Sequence, residues 1–342
     1  NQVNNGLTNS YIQCLAVSDP NLFAGTWYGV FLSTDNGANW TEVNNGLTNN
    51  HVNALAVSGS NLFAGTWGGG VFLSTNNGAN WIDVNNGLTD SYILCLAVSG
   101  DTLFAGTMEG GVFLSTNNGG SWTPVNNGLT SRYIMCLAVS GPNLFAGTGG
   151  GAFLSTDNGA NWTEVNNGLT YGAVRALTVS GDILFAGTWG GGVFLSTNNG
   201  ANWTEVNNEL TSGYILCLAV SGTNLFAGME YDGVWRRPLS EMIDGVEDYM
   251  DLTATQFSLA QNYPNPFNPS TTIAFTIPTK SFVSLKIFDR SGREVAQLAS
   301  EEMMAGSYSR RWDAAGFPSG VYFYRLEVGN TTVETKKLTL LK

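Results

Sequence analysis

The chain has 342 residues, a formal net charge of −12, 43 Gly and only 12% charged residues. Residues 1–240 hold no Lys and four Arg (Arg132, Arg175, Arg236, Arg237) against fourteen Asp and Glu, a balance that repels nucleic acid and anionic headgroups. No run approaches the ~20 apolar residues of a membrane-spanning helix, and with one His (His51) and no Cys-x-x-Cys, neither a metal nor a cofactor is expected.

The chain opens on NQVNNGLT, inside a repeat, as a mature protein would after removal of a leader. A unit of about 41 residues then recurs, reading YIQCLAVS, NLFAGT, GVFLSTDNGANW and TEVNNGLT. Each piece is short, rich in β-branched or aromatic residues, and bounded by Gly, Asn, Asp or Pro. Four such strands per repeat predict one blade of a β-propeller. The first three strands occur six times, but STDNGANW (33–40) and its near-copies at 74–81, 115–122, 155–162 and 196–203 occur only five times. A ring that mixes its two chain ends accounts for the difference. The expectation is six four-stranded blades over residues 1–238, the last closed by the N-terminal strand, with Val3–Leu7 paired to the strand around Gly233–Trp235.

Cys14, Cys95, Cys136 and Cys217 share one slot that Ala54 and Ala176 fill in the other copies. Exchange with Ala predicts a small buried position and favours free thiols. Spacing alone leaves Cys95–Cys136 and Cys14–Cys217 disulfides open.

Within the eight-residue turn, Asp35 and Asp157 alternate with Asn76, Asn117 and Asn198. That exchange suits a hydrogen-bond acceptor capping a turn and does not suit a catalytic or metal-binding carboxylate. Gly37 and its equivalents supply a positive φ, and Trp40, Trp81, Trp122, Trp162 and Trp203 are expected to bury their rings against the blade. The pattern Ser/Thr-x-Asp-x-Gly-x-x-Trp resembles the Asp-box of sialidases and other propellers, and the resemblance implies a structural motif on the face away from any active site.

The loops at the opposite end are where the copies differ. After Ala-Gly-Thr they carry Trp27-Tyr28, Trp67, Met108-Glu109, Gly149 to Gly151, Trp189 and Glu230-Tyr231-Asp232. Tyr11, His51, Tyr92, Tyr133, Ala173 and Tyr214 enter the first strands, and two residues on come Gln13, Asn53, Leu94, Met135, Arg175 and Leu216, a mixed slot facing the central channel. An aromatic rim with few charges is what sugar rings or peptides pack on, so a glycan or protein ligand is expected. Trp beside Gly runs covering the neighbouring blade is the bland alternative. A sialidase-type hydrolase needs an arginine triad, a Tyr–Glu nucleophile and an Asp acid/base. With only Arg132 and Arg175 in the blades before Arg236-Arg237, no catalytic residues and no enzyme are expected.

Residues 239–256 form an acidic linker, and the balance then reverses: residues 253–342 hold ten Lys and Arg against seven acids. Alternating runs such as VSLKIF (283–288) and VYFYRL (321–326), separated by Ser-Gly and Pro-Ser-Gly turns, predict a small Ig-like β-sandwich over 257–342. NYPNPFNP (262–269), GREV (292–295), Trp312-Asp313, Gly320-Val321-Tyr322 and the closing Lys-Lys-Leu with terminal Lys342 closely resemble the type A sorting domain of type IX secretion. The resemblance implies contact with that machinery, passage across the outer membrane and a secreted or surface location. A sandwich with free strand edges that docks on a neighbouring copy makes a self-assembling, filament-type subunit the alternative role.

Overall fold

The structure is a computed structural model and describes residues 3–9, 11–242, 257–277, 279–303, 306–329 and 331–341. It divides into two compact units, 1–221 with 225–236, and 237–342 with 222–224. Most of the expected linker, residues 243–256, lies outside the described residues.

Strands of the six repeats span 12–42, 52–83, 93–124, 134–164, 174–205 and 215–238. Each of the first five groups is a four-stranded antiparallel meander, and the sixth has three strands among the described residues. In the first blade Ile12–Ser18 pairs with Asn21–Thr26, which pairs with Gly29–Ser33, which pairs with Thr41–Glu42. The Asn-Leu-Phe-Ala-Gly-Thr strand is apolar on both faces because blades stack on both. Phe23 and Val30 of the first blade share one core with Val52, Leu62 and Trp81 of the second, and Phe63 and Val71 of the second share another with Ile93 and Leu103 of the third. Gly is required where these faces meet: a Cβ on Gly65 would stand 2.5 Å from Ile93 Cγ2, and one on Gly187 2.4 Å from Ile215 Cγ2.

Among the described residues this inter-blade contact is made five times and not a sixth. Val52, Ile93, Ile134, Val174 and Ile215 are fully buried over the preceding blade's Gly, but their equivalent Ile12 is 38% exposed. A Cβ on Gly228 would approach only the sulfur of Cys217, in its own blade. Cys217 is accordingly exposed, against the expectation of a buried slot, while Cys14, Cys95 and Cys136 are half-buried. All four thiols are free. Desolvation pushes Cys14 and Cys136 up to about 12 and Cys95 well above its ordinary value.

Among the described residues, the expected pairing of Val3–Leu7 with the sixth blade is not formed. Residues 3–7 instead hold Trp40 of the first blade: its amide donates to the Asn5 carbonyl at 2.8 Å and its indole N–H to the Val3 carbonyl at 2.9 Å. The reason lies in where the fourth strand ends. Thr41 and Glu42 pair with Leu32 and Phe31, and after Val43 the Asn-Asn-Gly-Leu segment leaves its own blade for the next one. In the first copy that fourth-strand register falls on residues 1 and 2, which are outside the described residues. Deleting residues 1–8 is expected to cost about 2–4 kcal/mol, two backbone acceptors and the Leu7 contact being lost. A thermal melt of the truncated chain that matches wild type would contradict this.

The second unit is a β-sandwich. Ser258–Leu259, Ser270–Ile277 and Gly306–Asp313 form one sheet; Glu294–Met303, Ser281–Phe288, Gly320–Val328 and Thr331–Leu340 form the other. Ile273, Phe275 and Trp312 from the first meet Leu285, Ile287, Tyr324 and Leu338 from the second in one core. The Asn-Tyr-Pro-Asn-Pro segment is fastened by its first residue. The buried Asn262 donates its amide to the Tyr324 hydroxyl at 2.9 Å and its side-chain NH2 to Thr271 Oγ1 at 2.9 Å and the Pro264 carbonyl at 3.0 Å.

Candidate binding face

At one end of the blades lie the eight-residue turns. Asp35 Oδ1 accepts from the Ser33 hydroxyl at 2.8 Å and from the amide of Asn39, four residues on, at 2.8 Å. Asn76, Asn117 and Asn198 accept from the same positions with their side-chain oxygens, and Asp157 does likewise. Gly37 has φ 86°, as expected, and the preceding Asn36 also lies in the left-handed region at 58°, which explains the Asn present there in every copy.

The Trp rings do not lock onto their own blade alone. Trp81, Trp122, Trp162 and Trp203 donate their indole N–H to the carbonyls of Val43, Val84, Val125 and Val165 in the preceding blade. The turn is thus an inter-blade clamp.

Asp35 and Asp157 are held below the ordinary carboxylate range, chiefly by the side-chain NH2 groups of Asn39 and Asn161, then by backbone amides. A depressed folded pKa contributes stability that is present above the unfolded value near 4 and is lost as pH falls through the folded value. Asp35→Asn with Asp157→Asn is therefore expected to be near-neutral at pH 7 and to melt less steeply than wild type below about pH 4. Parallel acid-denaturation profiles would contradict it.

At the other end the variable loops assemble an aromatic run. Ring centroids are 4.7 Å apart for Tyr11–Trp27, 5.2 Å for Trp27–His51, 5.9 Å for His51–Trp67 and 5.3 Å for Trp67–Tyr92. The run crosses three blades because the residue after each second strand continues the ladder: the Trp67 amide donates to the His51 carbonyl at 2.9 Å, and Trp67 bridges to Tyr92 of the next blade. It breaks at Met108. Beyond the break, the Arg175 guanidinium lies 4.7 Å above the Trp189 ring, which meets Tyr214 edge-on at 5.5 Å. Burial pushes His51 below its ordinary value, so it is neutral near pH 7.

This rim surrounds a cavity of about 660 Å³ lined from all six blades, by Ile12, Gln13, Asn53, Leu94, Met135, Arg175 and Leu216 together with Trp27, His51, Trp67, Tyr133 and Cys217. Gln13, Asn53, Leu94, Met135 and Arg175 are each the extra residue of a β-bulge at the start of their strand. A bulge leaves one residue outside the ladder and re-aims its side chain, which is how the same position in five blades comes to point at one cavity. Tyr28 and Tyr231 belong to the exposed loops but do not line it.

Sequence reading missed a second hollow of about 590 Å³ between Trp67, Tyr92, Asp90, Met108 and Glu109. Asp90 there accepts from the amides of Glu109 at 2.7 Å and Gly110 at 2.8 Å. Desolvation opposes its charge, but the backbone donors outweigh it and its pKa is lowered. The available signal was Asp90 itself, the one acid in a slot that holds Asn9, Asn49, Ser131, Tyr171 and Ser212 elsewhere.

Fold and site together define an all-β protein, a six-bladed propeller followed by a β-sandwich. Residues 261–340 match the family described as the secretion system C-terminal sorting domain. No curated protein matches the chain. Among solved structures it is similar to PorZ of Porphyromonas gingivalis (17% identity, TM-score 0.54, 96% of this chain and 51% of that one). It is also similar to the extracellular domain of BT4673 from B. thetaiotaomicron (12%, 0.58, 98% and 51%), and to YCF48 bound to D1 peptide (17%, 0.53, 66% and 78%). The chain thus spans about half the length of the first two. At these identities the likeness is one of fold.

Proposed function

We propose that this is a secreted or cell-surface, non-catalytic propeller, exported by a type IX route through its C-terminal unit, whose aromatic-rimmed face binds a ligand. The observation that carries the binding reading is the convergence of one bulged residue from each of five blades on a single cavity beneath stacked aromatic rings. The sorting-domain match supports export, and PorZ is itself described as a bacterial surface component of the type-IX secretion system. The eight-residue turns read as Asp-boxes in a structural role, since Asp and Asn occupy one hydrogen-bonding place. Absence of enzyme activity rests on the same exchange and on the scarcity of Arg in the blades.

The full chain should be titrated with peptide and glycan libraries, following Trp emission. Quenching that Trp67→Ala and Trp189→Ala reduce supports the reading; an unchanged spectrum with every member of both libraries overturns it. One observation favours a second role as a self-assembling subunit: Leu15 and Val17 on the first blade's inner strand are 68% and 64% exposed, whereas Leu55 and Val57 are half-buried. Light scattering across protein concentrations distinguishes the two, a strict monomer excluding the second.

A further inference from the structure

We propose that the Arg175 guanidinium anchors the terminal carboxylate of a peptide whose last residues are apolar, with the chain end seated in the central cavity; this rests on the binding-face reading above. Among the described residues, Arg175 is the only Arg lining the cavity, and no Asp or Glu lines it. Its side chain is half-buried, yet among the described residues its one interaction is with the Trp189 ring. Stacking uses the face of the guanidinium and leaves the edge, with its five N–H donors, free. A half-buried cation without a counter-charge is costly unless a ligand supplies one, and a carboxylate matches the fork in two parallel hydrogen bonds. The bulge at Arg175 makes the placement a built feature.

The rest of the cavity selects the class of ligand. Leu94, Met135 and Leu216 give an apolar floor suited to aliphatic side chains. Asn53 donates its NH2 to the Ile93 carbonyl at 2.9 Å, leaving its own carbonyl to accept from a peptide N–H, and Gln13 adds a second amide. Uronic acid sugars carry carboxylates too, but they stack on free aromatic faces, and here Tyr11 stacks on Trp27 and His51 on Trp67. The fourteen acids of residues 1–240 disfavour a polyacidic segment and tolerate a single terminal charge.

The test uses the full chain and a fluorescein-labelled hexapeptide ending in Val-Leu, as the free acid and as the C-terminal amide, read by anisotropy. The free acid is expected to bind more tightly than the amide by about tenfold to a hundredfold, the range for a hydrogen bond to a charged group. Arg175→Gln should abolish the difference, and Arg132→Gln, outside the cavity, should keep it. The acid–amide comparison on wild type needs no variant to fold. Equal binding of acid and amide overturns the role of Arg175 and leaves the binding face standing. Binding of oligogalacturonate but of neither peptide overturns the peptide class and likewise spares the face. No binding of any probe at millimolar concentration overturns both.

Discussion

Trp81→Ala is expected to destabilise the first unit by about 3–5 kcal/mol. Trp81 is 4% exposed and packs with Leu47, Val52, Leu62 and Phe72 in a core shared by two blades. Its indole N–H also satisfies the Val43 carbonyl at 2.7 Å, so truncation opens a cavity and removes an inter-blade bond together. Trp81→Phe separates the two terms: most of the volume stays and the donor goes, for a cost of about 1–2 kcal/mol. Trp40→Ala should cost less, because Trp40 is 9% exposed and its acceptors belong to the chain's first residues. Since neighbouring blades stabilise one another, urea unfolding should be followed by more than one probe. A Trp81→Ala midpoint within error of wild type would show that the clamp contributes nothing.

Gly87→Ala should be nearly as damaging, at about 3 kcal/mol or more, although it adds one methyl group at an exposed turn. Gly87 has φ 84°, where a Cβ costs roughly 1–2 kcal/mol. That Cβ would also stand 2.3 Å from the Trp122 carbonyl oxygen, a backbone atom that cannot swing aside. The same geometry recurs at Gly6, Gly46, Gly128 and Gly168, each against the carbonyl of the next Trp. The sixth copy is the internal control. Glu209 takes that place at φ 63°, and the sixth blade has no eight-residue turn and so no Trp carbonyl to meet. Glu209→Gly is therefore expected to be neutral or stabilising by up to about 1 kcal/mol, through relief of backbone strain alone. Equal tolerance of Ala at 87 and Gly at 209 would refute the clash.

These two sites show what could be read from residues alone. Strand positions, the six-fold count, the turn chemistry of Asp35 and Gly37, and the sorting sandwich were all legible, because each depends on alternation, turn residues or a dense local motif. The slot of Gln13, Asn53, Leu94, Met135, Arg175 and Leu216 was legible as channel-facing from its constant offset within the repeat. Partner choice was not. That the Trp of one blade holds the Val carbonyl of the blade before it, and that Val3–Leu7 therefore serves Trp40, depends on contacts some 37 residues apart in sequence, which no local pattern encodes. The bulges that re-aim five side chains are likewise register decisions made between strands.

The sequence by itself determined the architecture, because a 41-residue period of four short strands leaves stacked blades as the way to bury two apolar faces per repeat. Only the tertiary structure decided where that regularity stops. Ile12, chemically equal to the buried Ile93 and Ile134, remains exposed for want of a neighbour's Gly beneath it. Arg175, one bulge residue among five, stands in the cavity with no counter-charge among the described residues lining it, because burial and pairing are properties of what surrounds a residue and not of the residue.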